Sequence, residues 1–108
     1  MKFNKLNLIL LLIYYINFIQ LYSQNLNNNF VVVLDAGHGG KDPGNTGNGY
    51  YEKNIALNIA LAIGKKLESN EDIKIIYTRK TDVFIDLFKR ANIANSANAD
   101  LFVSIHCD

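Results

Sequence analysis

FVVVLDAGHGG, residues 30–40, passes in one step from an unbroken apolar run to a glycine-rich loop that carries a histidine. Phe30 to Leu34 has no polar break, is mostly β-branched and is too short for a helix, so it reads as a strand buried on both faces. Residues 35–49 (DAGHGGKDPGNTGNG) hold six of the seven glycines and the only proline, which makes them a loop. A strand buried on both faces needs covering layers, and the chain downstream supplies them. Glu52 to Glu68 reads as a helix with Ile55, Ile59, Ala62, Ile63 and Leu67 on one face, and Asn54, Asn58 and Lys65 toward water. Ile73 to Thr78 is a second strand. Arg79 to Asp82 is a turn, with Thr81 or Asp82 placed to cap a second helix over Val83–Ser96, whose apolar face is Phe84, Leu87, Phe88, Ala91 and Ala94. Leu101 to Ile105 is a third buried strand. This alternation predicts an α/β fold, a largely parallel sheet with helices on both faces and right-handed crossovers. Three strands leave a sheet face or edge without partners, and the chain ends beside the third strand's carboxyl end, where the chemistry of open α/β sheets gathers. The expectation is therefore the βαβαβ portion of a larger domain, truncated.

Upstream, the chain changes character. Lys2 and Lys5 give a positive start, and Leu6 to Ile19 is apolar apart from Asn7 and Asn17. Mixed polarity returns from Gln20 to Gln24, with small Ser23 before a cut. This order is that of a secretory signal peptide over residues 1–23, followed by a short polar lead-in at 24–29 and the domain at 30–108. A retained membrane anchor is the other reading. Asn17 and the shortness of the run argue against it, so no stable membrane span is expected after removal. No cysteine lies near the cut to accept a lipid. The expected destination is outside the cytoplasm: periplasm, cell envelope or medium.

Losing Lys2 and Lys5 with that leader takes the formal net charge from +1 to −1. A chain so close to neutral has no footprint for polyanions, which excludes nucleic acid as the expected partner. The single cysteine, Cys107, excludes an internal disulfide framework despite export.

Three ligand-type residues fall at related places. His38 follows the first strand, His106 follows the third, and Glu52 opens the helix that runs back from the same rim. If the first and third strands are neighbours, all three meet. Two imidazoles and a carboxylate are a three-ligand set of catalytic zinc, with a fourth position left for water, and the ion would polarise a carbonyl and acidify that water. Singly, each has a plainer reading: His38 as a surface loop residue, Glu52 as a partner of the helix dipole, His106 as a core histidine. Asp35 reads as a carboxylate that orients a ligand histidine. Cys107 reads as a small packed residue, on the opposite face from His106 if the strand persists. Neither a dinucleotide fingerprint nor a phosphate loop fits residues 37–41, and no Ser or Cys is placed as an activated nucleophile.

VVVLDAGHGGKDPGNTG, YYEKNIALNIA, IIYTRKTD and LFKRANIANSANADLFVSIHCD together resemble the catalytic domain of N-acetylmuramoyl-L-alanine amidases. The resemblance covers nearly all of residues 31–108. It implies an α/β fold and hydrolysis of the bond joining N-acetylmuramic acid to L-alanine in peptidoglycan. It also implies one Zn2+ ion bound by the loop histidine, the helix-opening glutamate and the Ser-Ile-His histidine, here His38, Glu52 and His106. Arg79, Asp82, Arg90, Asn95 and Asp100 match family positions too, with turn pairing expected of the first two and helix placement of Arg90 and Asn95. Cys107-Asp108 stands where the family usually has Ala-Asn. The family's acid/base glutamate lies near the end of its domain, so it is expected beyond Asp108, and the 108-residue chain is expected to be inactive. The alternatives are another envelope zinc hydrolase, or a non-catalytic wall-binding remnant.

Overall fold

A computed structural model describes residues 4–24 and 29–107. Lys2, most of the polar lead-in and Asp108 lie outside the described residues. Helix α1 spans Lys5–Gln24. Its stretch Lys5–Tyr22 is long and apolar enough to cross a membrane, and none of that stretch is buried against the rest of the chain.

Strand β1, Phe30–Ala36, runs two residues further than the apolar pattern indicates, taking Asp35 and Ala36 into the ladder. After it come the short strands β2 (Thr46–Gly47) and β3 (Tyr50–Tyr51), then helix α2 (Glu52–Leu67), β4 (Ile73–Tyr77), helix α3 (Leu87–Ser96) and β5 (Leu101–Ile105). The main sheet has the order β4-β1-β5. Both pairings of β1 are parallel, Val33 lying opposite Ile76 on one side and Phe102 on the other. The central place explains the composition of β1: Val33 and Leu34 are the largest fully buried side chains. Strands β2 and β3 pair as a small antiparallel hairpin at the end of the glycine-rich segment, β2 falling where the sequence reads only as loop.

Helix α2 packs through small residues. Glu52, Ala56, Ala60 and Gly64, four apart, are its buried positions, while Ile55 and Ile59 are exposed. The stripe expected from the large apolar residues is therefore rotated out of the interface. Ala56 and Ala60 meet Ala36 in the core, with Leu57 and Ile105 against them. Methyl-sized side chains let the helix lie close to the sheet, and Gly64 leaves room for the Tyr77 phenol. Because Glu52 belongs to the same stripe, the packing that holds α2 also carries a carboxylate to the rim of the sheet.

Helix α3 begins four residues later than expected. Asp86 is its cap, accepting from the Lys89 N–H at 2.8 Å. Neither Thr81 nor Asp82 caps it; Asp82 instead binds Lys53 Nζ and the Gly40 N–H. The inner face of α3 is Arg90 and Ala94, while Leu87 and Phe88 are exposed. Arg90 reaches Asp35, whose neighbour Ser104 alternates along β5 with Ile105 on the α2 side. The two helices thus lie on opposite faces of the sheet.

Candidate metal centre

The rim at the carboxyl ends of β1 and β5 brings together His38, Glu52 and His106, whose donor atoms all lie within 4.8 Å of one another. β1 and β5 are hydrogen-bonded neighbours, so the residues just past each strand start side by side. The Gly37 N–H extends that ladder to the Ile105 carbonyl at 3.0 Å.

His38 takes a left-handed backbone conformation, φ 60°, a region costing a non-glycine residue roughly 1–3 kcal/mol and kept only where the surroundings impose it. Its Nε2 lies 2.9 Å from Glu52 Oε1. Its Nδ1 is 2.8 Å from Asp42 Oδ2, a partner for an Nδ1 proton that would leave Nε2 as the nitrogen to meet a cation. The turn that returns Asp42 to His38 is closed by two backbone hydrogen bonds between Gly39 and Asp42.

Glu52 is buried, and its carboxylate is fully engaged. Oε2 accepts from the Asn45 N–H at 2.8 Å and Oε1 from the Cys107 N–H at 2.9 Å. These two backbone donors, then the nearby His38, outweigh burial and hold the carboxyl at about 2, so Glu52 is an anion at any neutral pH. Burial pulls His38 toward its neutral form, but the hydrogen bond and charge of Asp42, with Glu52, outweigh it and raise its pKa above the ordinary value.

His106 is half exposed. Its Nδ1 lies 3.1 Å from His38 Nε2 and 3.1 Å from Glu52 Oε1, and the two imidazoles meet edge to face, 81° apart. Two glycines make room. A side chain at Gly37 would overlap the His106 ring, and one at Gly44, where φ is +67°, would meet both the His38 ring and the Glu52 carboxylate.

Three donor atoms therefore form a triangle with sides of 2.9, 3.1 and 3.1 Å. Bonds of 2.0–2.1 Å from nitrogen and oxygen to a tetrahedral ion place ligand atoms about 3.3 Å apart, so the triangle is close to one face of such a tetrahedron. A single shared proton cannot satisfy two imidazole nitrogens and a carboxylate oxygen aimed at one point; one cation can. The donor set fits a divalent ion of this size.

Asp35, expected to orient a ligand histidine, touches neither imidazole. It accepts from Thr78 Oγ1 and Ser104 Oγ at 2.7 Å each and from Arg90 Nη1 at 2.8 Å. Its carboxylate is taken up by those three donors on the face of β1 opposite Ala36, where it lines the groove that also reaches His38 and His106. Asp42 holds that orienting position instead. The only sequence signal for it is the tight turn implied by Gly39-Gly40 and Pro43-Gly44 on either side. Arg79 does not pair with Asp82; its donors go to backbone carbonyls. Cys107 lies past the end of β5, so strand alternation does not set its direction; it meets Glu52 through its backbone. A groove of about 670 Å3, lined by Phe84, Leu87, Ala91, Ala94 and Phe102, reaches His38 and His106.

A family model described as N-acetylmuramoyl-L-alanine amidase matches residues 32–108. The endolysin of Bacillus phage SPP1 is 50% identical over 76 residues, which are 70% of this chain and 28% of that protein. The sporulation-specific N-acetylmuramoyl-L-alanine amidase of Bacillus subtilis is 45% identical over 76 residues, 69% of this chain and 30% of that one. Among solved structures, the N-acetylmuramoyl-L-alanine amidase from Clostridium difficile 630 superposes with a TM-score of 0.73 at 39% identity, covering 76% of this chain and 45% of that one. The chain thus spans under a third of the two curated relatives and less than half of the solved structure.

Proposed function

Since this chain belongs to the N-acetylmuramoyl-L-alanine amidase family, we propose that the whole protein hydrolyses the amide bond between N-acetylmuramic acid and L-alanine in peptidoglycan. The observation that carries the proposal is the meeting of His38, Glu52 and His106 at one rim inside the matched segment.

These three residues would hold one zinc ion, which when bound supplies a Lewis acid for the scissile carbonyl and for water. The chain's own residues prepare that site. Asp42 is the partner for a proton on His38 Nδ1, and the Asn45 and Cys107 N–H groups aim the Glu52 carboxylate. The apolar groove beside the two histidines suits the aliphatic part of a stem peptide, leaving the amide at the rim. Hydrolysis also needs a group that takes a proton from water and delivers it to the leaving amine. Glu52 and Asp42 are committed to the centre, and Asp35 is held by three donors, Thr78, Ser104 and Arg90. We assign the proton-transfer role to a glutamate in the portion of the family domain that this chain does not span, so the 108 residues alone are expected to lack amidase activity. We further assign residues 1–23 to an export signal that is removed, with the periplasm, the cell envelope or the medium as the destination of the mature protein; the exposed apolar helix α1 supports export.

Digestion of purified cell wall tests the reaction. The whole protein is expected to expose new L-alanine amino termini in proportion to turbidity loss. Release of acetate or D-alanine in their place would assign a deacetylase or a carboxypeptidase and overturn the amidase reading. An undigested wall that nevertheless retains the protein would make it a binding module.

A further inference from the structure

Arg79 is a buried cation, 3% exposed, whose hydrogen-bond partners are all backbone carbonyls. Nε donates to Ala36 at 2.9 Å and Nη1 to Thr81 at 3.1 Å. Nη2 donates to Gly37 and to Lys53, each at 2.8 Å. Gly37 directly precedes His38, and Lys53 directly follows Glu52. One guanidinium nitrogen therefore joins the carbonyls of the residue before His38 and the residue after Glu52, two candidate ligands that stand far apart in sequence and on different elements. Further along, α2 is also packed on the sheet through Ala56 and Ala60.

We propose that Arg79 is a positioning residue for the metal centre: its planar fork sets the separation of His38 and Glu52 by gripping the carbonyl of a residue beside each, Gly37 and Lys53. Burial makes the grip exacting. A guanidinium out of water must satisfy its donors locally, and here the backbone carbonyls around the centre are what satisfy it. The fork cannot slide without leaving a buried donor unpaired, so the strand end and the first turn of α2 are held at a fixed spacing. Lysine carries the same charge but is a point donor with a flexible stem, and cannot span the same carbonyls.

The inference rests on the zinc reading above, and the experiment separates the two. Zinc affinity is measured by chelator competition in the whole protein, in Arg79→Lys, and in Ala60→Gly, a core substitution away from the rim that serves as a control for lost stability. All measurements are made below the melting transitions of the metal-free proteins. Arg79→Lys is expected to weaken zinc binding about 10–100-fold, as loss of a supporting contact around a metal does, and to change the absorption spectrum of the cobalt-substituted protein. Ala60→Gly is expected to leave both unchanged. Should Arg79→Lys fail to fold, Arg79→Gln, which removes the buried charge and keeps an amide donor, is read in the same way. Equal affinities and spectra in the arginine and core variants would reduce Arg79 to a structural residue and overturn the inference. Failure of the unsubstituted protein to bind zinc would remove the metal reading itself.

Discussion

Replacing His106 with alanine is expected to abolish stoichiometric zinc binding, while Cys107→Ala leaves it intact. His106 contributes one corner of the donor triangle, its Nδ1 standing 3.1 Å from each of the other two donor atoms. Without it the centre keeps one imidazole and one carboxylate, too few protein ligands for a catalytic zinc site, which uses three. Cys107 is the neighbouring residue with the softer ligand atom, and by chemistry alone a thiolate would be the stronger zinc donor. What Cys107 gives the centre, however, is its backbone N–H to Glu52 Oε1, and alanine keeps that bond. Metal analysis after dialysis distinguishes the two variants. Equal zinc loss in both would overturn the ligand set.

Asp35→Asn is expected to destabilise the protein by about 3–5 kcal/mol, the cost of leaving one partner of a buried ion pair uncompensated. The Asp35 and Arg90 side chains are only 4% and 6% exposed and meet at 2.8 Å. Arg90 also donates to the carbonyls of Ile85, Ala36 and His38, so its guanidinium stays buried when the carboxylate loses its charge. Urea unfolding measures the effect. A loss below about 1 kcal/mol, the scale of an exposed pair, would mean that water reaches the pair in solution. The pH dependence has a definite sign. Burial raises the Asp35 pKa, but the hydrogen bonds from Ser104, Thr78 and Arg90 outweigh it, so the folded-state value lies below the ordinary one. The stability this contributes is fully present above the unfolded value of about 3.9, and is lost as pH falls through the lowered one. Asp35→Asn should therefore flatten the acid limb of the stability curve.

The strands were legible because a run such as FVVVL can be satisfied in few ways, and their order made the parallel sheet the economical solution. The helix faces were not. Apolar periodicity favours large side chains, whereas α2 is held by Ala56, Ala60 and Gly64, whose value lies in what they lack. On α3 the inward position belongs to Arg90, a residue that a hydrophobic pattern assigns to water until its partner Asp35 is seen. The candidate ligands His38, Glu52 and His106 stood out as chemistry at the ends of elements. Their supports did not. Asp42 reaches His38 only because a tight turn closes, and Arg79 matters through carbonyls, which every residue has. Sequence reveals groups that differ in type; it hides those that act through geometry shared by all.

X-ray absorption at the zinc edge of the metal-loaded protein addresses the ligand set most directly. The expected spectrum has only nitrogen and oxygen neighbours near 2.0 Å, with the outer-shell scattering of two imidazoles. A sulfur neighbour at about 2.3 Å, or the signature of fewer than two imidazoles, would contradict it.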